Sequence, residues 1–493
     1  MKEEMGRELK SGKVAHVVFL PFPAEGHIKP MLKLAELLSQ AKAQAGGIQI
    51  QITIINTQHT HQRLLVTSNL KEFQQTHPNI QFLTFPDGLP PEHPRVGRGF
   101  KEFISALKTV APALREVFLS MTLPATCFIA DMIMSTSAVE VANEFQVPLL
   151  SLQTMNACTT WIDLHLPKFL EEGEIPIEIT DESCLNKPVT QITGLENFNF
   201  LYRDLPGFCR TQEVAMEFCI GEFKAASQAS ALIINTFEEL ESPMISKISS
   251  FYSKIFTIGP LHCLNLKTQT DDDDSSHRSS ADGILSKEDN SCLEWLDSQP
   301  SGSVIYVSFG TWASLPSHVF FEFWHGLINS DKPFLWVVRP NSIHVTDGVR
   351  TPSEVLAELE EKSKGKGLIV SWVPQEKVLA HPAVGGFLTH TGWNSTLESI
   401  YAGIPMICWP IKADQFVNSK CVGDIWKIGF DMKDKCDRSI IEKMVRDLVG
   451  NKREEIMESV NKFRDQARQS VMVNGSSYRN LENLIDHIIS LVP

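Results

Sequence analysis

Short runs of almost unbroken apolar residues recur along this chain, separated by stretches whose apolar positions keep a helical period. His16–Phe22 is the first such run. A helix from about Lys29 or Pro30 should follow. Met31, Leu34, Ala35, Leu38 and Ala41 fall at i, i+3, i+4, i+7 and i+10 and so share one face. Gly46-Gly47 should end it. Ile48–Asn56, Gln81–Pro86, Thr126–Asp131, Val147–Leu152 and Ala231–Phe237 continue as strands. The second half repeats the pattern with Ser303–Gly310, Pro333–Arg339, Gly367–Val373, Gly385–His390 and Pro405–Pro410. Strands that are apolar throughout, with helices between them, indicate parallel sheets covered on both faces. The expected chain is therefore α/β, in two halves that meet near Thr257–Leu261. Between them, Lys267–Gly283 is acidic, serine-rich and without period, which predicts a mobile surface loop over about 266–289.

Composition narrows the function more than the fold. A length of 493 residues suits two or three domains, and 43% apolar with 21% charged residues is ordinary for a globular protein. The net charge of -14 argues against a nucleic-acid partner, although a local anion site can exist in an acidic protein. Ten cysteines without a C-x-x-C pair read as the reduced, packed thiols of a cytoplasmic chain. The charged start of the sequence and the short, proline-broken run after it do not read as a signal peptide. No stretch reaches the roughly 18 apolar residues of a membrane span.

Open parallel sheets bind ligands beyond the carboxyl ends of their strands, and three such ends carry chemistry. Pro21–Pro30 turns from a strand through Gly26 to His27, near a helix N-terminus whose dipole favours neutral imidazole. Asp131 closes an apolar strand. It can be an N-cap, or it can fix the tautomer of a histidine base. Leu388–Ser399, LTHTGWNSTLES, places His390, Trp393, Asn394 and Ser395 at a helix start, a ready anion site. Ser395 and Glu398 also fit a capping box, a purely structural alternative. G-x-G-x-x-G, P-loop, nucleophile-elbow and H-E-x-x-H motifs are all missing, which weakens an NAD-type oxidoreductase reading among others.

From Trp372 to Gln415 the chain resembles the 44-residue signature of plant secondary-product UDP-glycosyltransferases, at full length. LPGF (Leu205–Phe208), NTFEELE (Asn235–Glu241), YVSFGT and the closing NGSSYRNL extend the resemblance over the whole chain. It implies a GT-B fold: two Rossmann-like domains facing across a cleft. An acceptor-binding domain would span 1–258 and a UDP-sugar-binding domain 259–475, with a helix over 476–493 packing back on the first. By motif, Trp372 would stack on uracil, with the Val373 backbone and Gln375 holding the base, and Glu398 would bind the ribose hydroxyls. Thr311, His390, Asn394 and Ser395 would hold the diphosphate. Trp393, Asp414 and Gln415 would contact the sugar, the final Gln being the residue of glucose-using members. His27 would be the catalytic base and Asp131 its partner. The resemblance further implies UDP-glucose as co-substrate, inverting transfer to a hydroxyl or carboxyl of a small apolar plant metabolite, no metal and a monomer. Three departures stand out: Thr391 for the usual Cys, Thr311 for the usual Ser, and Glu25 beside the base, where a carboxylate can raise the pKa of the base, touch the acceptor or, as expected here, face solvent.

Pro86–Arg95, Gln153–Trp161 and Leu201–Met216 are the expected walls of a small apolar acceptor pocket. Segments within and beyond them (PDGLPPEHPR, RDLPGFCR, DIWKIGFDMKDKCDR) resemble members that glucosylate iridoids and other terpenoid aglycones; a phenolic or flavonoid acceptor is the alternative. A non-catalytic nucleotide-sugar binder is the rival of another class. The sequons at Asn394 and Asn474 are expected to be unused.

Overall fold

The computed structural model describes residues 13–41, 47–210, 214–266, 291–311, 313–345, 350–433 and 435–493. Among the described residues, fifteen strands form two large parallel sheets and one small ribbon. The first sheet contains β1 (Val14–Leu20), β2 (Gln49–Thr57), β3 (Ile80–Phe85), β4 (Cys127–Asp131), β5 (Leu149–Gln153), β6 (Ala231–Ile234) and β7 (Ile255–Thr257). Its order is β3-β2-β1-β4-β5-β6-β7. The second contains β8 (Val304–Ser308), β10 (Phe334–Val337), β12 (Gly367–Val370), β13 (Val384–Thr389), β14 (Met406–Cys408) and β15 (Gly429–Asp431), in the order β12-β10-β8-β13-β14-β15. The ribbon pairs β9 (Leu315–Pro316) with β11 (Ile343–His344).

Both large sheets are doubly wound. In each, the first strand lies beside the fourth, so consecutive connections leave to opposite sides and a crevice opens between β1 and β4, and between β8 and β13. The central strand β1 is buried on both faces because its alternate residues enter different cores. Val18 and Leu20 of β1 join one cluster while Val17 and Phe19 join the other. The first cluster continues from the first sheet into the second. The other covers the opposite face of the first sheet, where Leu481, Leu484 and Ile488 of the helix Ser476–Ser490 pack among Val17, Ile52 and Ile233. Asn480 Nδ2 donates to Thr257 Oγ1 at 2.7 Å, tying that helix to β7.

The first helix spans Glu25–Gln40, starting earlier than its apolar period suggests and ending before Gly46-Gly47. Met31, Leu34, Ala35 and Leu38 are buried as one face, and Lys33 and Glu36 are buried beside them as an ion pair. The acidic stretch 267–283 lies outside the described residues. All ten cysteines are free thiols. Among the described residues no helix is long and apolar enough to cross a membrane.

Candidate active site

The two crevices face one another across a cleft of about 1920 Å³. From the first sheet, β1 leads through Pro21–Ala24 into the first helix, which puts His27 in its first turn. Asp131 is the last residue of β4, paired in register one step beyond Leu20↔Ala130. The two side chains meet: His27 Nδ1 lies 2.8 Å from Asp131 Oδ2 and 2.9 Å from Thr154 Oγ1. Asp131 is 1% exposed, and its Oδ1 also accepts the Ile133 N–H at 3.1 Å. The N-cap and histidine-partner alternatives for Asp131 therefore both hold, one on each oxygen. Burial alone would lower the basicity of His27. The Asp131 charge and hydrogen bond, with help from Asp414, reverse this and leave its pKa above the ordinary 6.5. With Nδ1 committed to Asp131, Nε2 is the ring nitrogen left for the cleft.

From the second sheet, β8 ends before Gly310 and Thr311, and β13 ends before His390. The His390 ring lies between two glycines. A Cβ on Gly310 or on Gly392 would come within 2.6 Å of its Nε2, so only glycine leaves room at either position. Burial, and then the neighbouring Lys412 charge, push the His390 imidazole down to about 4, which keeps it neutral near pH 7. Burial also pushes Lys412 down to about 8. The helix Trp393–Ala402 begins after Gly392 with no side chain capping it, and Trp393, Asn394 and Ser395 line the cleft. Its N-terminal amides and positive dipole end are thus directed at the cleft.

The capping box expected from Ser395 and Glu398 does not form. The helix starts two residues before Ser395, so Ser395 is its third residue and its Oγ accepts from Gln375 Nε2 at 2.9 Å. Glu398 is buried and shared between Gln375 Nε2 at 2.6 Å and Lys29 Nζ at 2.9 Å. Gln375 also accepts from the Tyr306 hydroxyl at 2.8 Å, so its amide is largely engaged within the protein. Trp372 is half-buried on the cleft wall, and Val373 is buried behind it.

Trp393, expected at the sugar, lines the cleft and also ties the two domains together. Its side chain is buried, and the indole N–H donates to the Asn235 carbonyl of the first domain at 2.7 Å. The ring is a rivet between domains, which leaves the Trp393 backbone to face a ligand. Asn394 Nδ2 donates to the Gly26 carbonyl at 2.8 Å, again across the cleft. Gln415 Oε1 accepts the N–H groups of Ile411 and Lys412, leaving its NH2 as the donor available to a ligand. Burial raises the Asp414 carboxyl to about 6, while Oδ2 accepts from Asn418 Nδ2 at 2.7 Å. Thr391 takes a left-handed backbone (φ 59°), unusual for a β-branched residue. Its Oγ1 donates to the Gln415 carbonyl at 3.3 Å, and its own carbonyl accepts from Asn418 at 2.8 Å.

Two expectations about the cleft wall are corrected. Glu25 is half-buried and lines the cleft rather than facing solvent. Pro86–Arg95 does not form the wall. Arg95 is buried, ion-paired to Asp87 at 3.0 Å, and bonds the carbonyls of Leu89, Pro90 and His93, which closes the loop on itself. In its place stand residues just beyond, including Val96, Phe100 and Ile104; Phe208 and Ala215 of the expected stretch Leu201–Met216 do line the cleft, joined by Phe218 and Phe223 after it. Of the stretch Gln153–Trp161, Thr154 and Met155 reach the cleft, whereas the Trp161 indole N–H is turned to the Thr193 carbonyl. Sequence reading also missed Lys29, Tyr306, Lys412 and Asn418, none of which carries a local signal, and the contact of Thr154 with His27. Among the described residues no cluster of three or more His, Cys, Asp or Glu could hold a metal ion.

Residues 278–470 match the family described as UDP-glucoronosyl and UDP-glucosyl transferase. A 7-deoxyloganetic acid glucosyltransferase of Catharanthus roseus is 42% identical over 489 residues, covering 97% of this chain and 98% of its own. Mogroside I-A1 synthase of Siraitia grosvenorii is 42% identical over 467 residues, covering 92% of this chain and 85% of its own. The crystal structure of Medicago truncatula UGT71G1 complexed with UDP-glucose superposes with a TM-score of 0.76. It is 26% identical and covers 96% of this chain and 98% of that one.

Proposed function

The chain belongs to the UDP-glycosyltransferase family and is a glycosyltransferase of GT-B fold, and from that premise we propose that it moves glucose from UDP-glucose to a hydroxyl of a small apolar acceptor with inversion. The observation that carries the reading is the placement of His27–Asp131 and the uncapped helix Trp393–Ala402 on opposite walls of one cleft. A base on one side and an anion site on the other is the arrangement an in-line displacement needs.

In this reading the acceptor O–H gives its proton to His27 Nε2 as its oxygen bonds the anomeric carbon. The bond from that carbon to the UDP oxygen breaks on the far face, and its electron pair leaves with UDP. The product is a β-glucoside. Asp131 holds the tautomer that leaves Nε2 free and stabilises the imidazolium that forms. The leaving diphosphate gains charge beside the helix N-terminus, neutral His390, Asn394, Ser395 and the Thr311 hydroxyl, fixed dipoles that need no reorganisation. No step is routed through a metal. Trp372 stacks on the uracil, Glu398 takes the ribose hydroxyls, and Asp414 and the Gln415 NH2 take those of the sugar.

An iridoid or other terpenoid aglycone is the proposed acceptor class. The 7-deoxyloganetic acid glucosyltransferase activity of the Catharanthus roseus relative and the aromatic and aliphatic wall around Phe100, Ile104 and Phe218 support it. Incubating the protein with UDP-glucose and a panel of terpenoid and phenolic alcohols tests both parts. A mass gain of one hexose, largest on iridoid aglycones, is expected. No gain on any alcohol removes the transferase reading, and a preference for flavonoids removes the acceptor class. His27→Ala should abolish turnover while UDP still binds.

A further inference from the structure

We propose that Lys29 is a positioning residue of the donor site, holding the ribose-binding carboxylate of Glu398 from the opposite domain. The inference rests on the reading of Glu398 as the ribose partner. Lys29 lies two residues after His27 on the first helix, rooted in the first domain. Its ammonium reaches across the cleft to Glu398 Oε1 at 2.9 Å and to Glu376 Oε1 at 2.8 Å. The other Glu398 oxygen accepts from Gln375, which Tyr306 anchors in turn. The carboxylate is thereby gripped from both domains at once.

Glu398 is 4% exposed, and a buried carboxylate is costly unless charged or hydrogen-bonding partners surround it. Lys29 supplies the charge. It does so without blocking the ribose: an ionised carboxylate has about four acceptor positions. The protein uses one on each oxygen, and a vicinal diol can take the remainder. The ammonium also fixes the side-chain rotamer, so the diol meets an acceptor already in place. Glu376 holds the same ammonium through its own carboxylate. Asn394 to the Gly26 carbonyl is a parallel tie on the same turn of helix. The segment that carries His27 is therefore docked directly on the ribose end of the donor site, and donor and base share one support.

The test compares binding of UDP and 2′-deoxy-UDP by calorimetry, using the full chain and its Lys29→Met, Lys29→Arg and Glu376→Gln variants. The native chain should prefer UDP. Lys29→Met should lose about tenfold in UDP affinity and much less in 2′-deoxy-UDP affinity, so the preference shrinks. Lys29→Arg should restore most of the preference, because a guanidinium can bridge both carboxylates. Glu376→Gln should give an intermediate loss, and it carries the test if Lys29→Met does not fold. A native-like preference in Lys29→Met, or an equal loss for both nucleotides, overturns the proposal. A native chain that does not distinguish the two nucleotides overturns instead the ribose role of Glu398 on which it rests.

Discussion

Replacing Asp131 by Asn changes one charge and almost no volume, yet the two hydrogen bonds at this position cannot both keep Asp131's role as acceptor. In the native chain Oδ2 takes the His27 Nδ1 proton and Oδ1 takes the Ile133 N–H. An asparagine has one carbonyl oxygen to serve two donors. If that oxygen stays on His27, the NH2 group faces the buried Ile133 N–H, and an unpaired buried donor costs about 1–3 kcal/mol. If the oxygen moves to Ile133, the NH2 points at Nδ1. Both bonds are then satisfied, but the ring proton must sit on Nε2. The second arrangement is the cheaper one, and it removes the base. Turnover should fall by about 10²- to 10⁴-fold, the usual worth of a general base, or about 2.7–5.5 kcal/mol of barrier. UDP affinity should stay within about twofold, because Asp131 lies on the far wall from the nucleotide site. The assay is UDP release with a terpenoid alcohol, set beside calorimetric UDP binding. A more acidic phenolic acceptor should lose less, since its proton needs less help to leave. A variant with kcat within about threefold of native on the alcohol would refute the tautomer argument.

Three more outcomes are expected. His27 must be neutral to act, and its pKa is held above 6.5, so the acidic limb of the kcat/KM profile should have its midpoint above that value; a midpoint below pH 6 would contradict it. The raised pKa also means that the His27–Asp131 pair stabilises the fold fully below the ordinary histidine pKa and loses that contribution as pH rises through the folded value. Gln415→Glu keeps the oxygen that accepts from Ile411 and Lys412 but removes the NH2. kcat/KM for UDP-glucose should drop about tenfold at unchanged thermal stability, and an unchanged kcat/KM would remove the sugar contact. Trp393→Phe strands the buried Asn235 carbonyl. Denaturant stability should fall by about 1–3 kcal/mol with little change in KM for the donor; a large KM change at native stability would return the ring to the sugar.

Much of one cleft wall was legible because it is local. Trp372, His390, Ser395 and Gln415 fall within one stretch of sequence, and successive strands of a parallel sheet deliver their ends to one edge. His27 and Asp131 were each legible as strand-end residues. Their contact was not, since it depends on β4 lying beside β1, a property of strand order. The capping box failed for a similar reason: S-x-x-E describes a spacing, and the helix began two residues early. Arg95 looked like part of an acceptor wall because a charged, proline-rich loop usually faces solvent or ligand. Here one guanidinium satisfies several carbonyls of its own loop and folds it shut. Strands β7 and β15, three residues each, were too short to show any period. Lys29 gave no signal because its partner Glu398 is 369 residues away.

The helix Ser476–Ser490 has a consequence for the order in which the molecule is made. Its buried face belongs to the core of the first sheet, although every strand of the second sheet precedes it in the chain. During synthesis the first domain would leave the ribosome with one flank of its core open, and it stays open until the second domain has been translated. A fragment ending near residue 258 should therefore be sticky and short-lived. Supplied with residues 476–493 as a separate peptide, it should recover solubility.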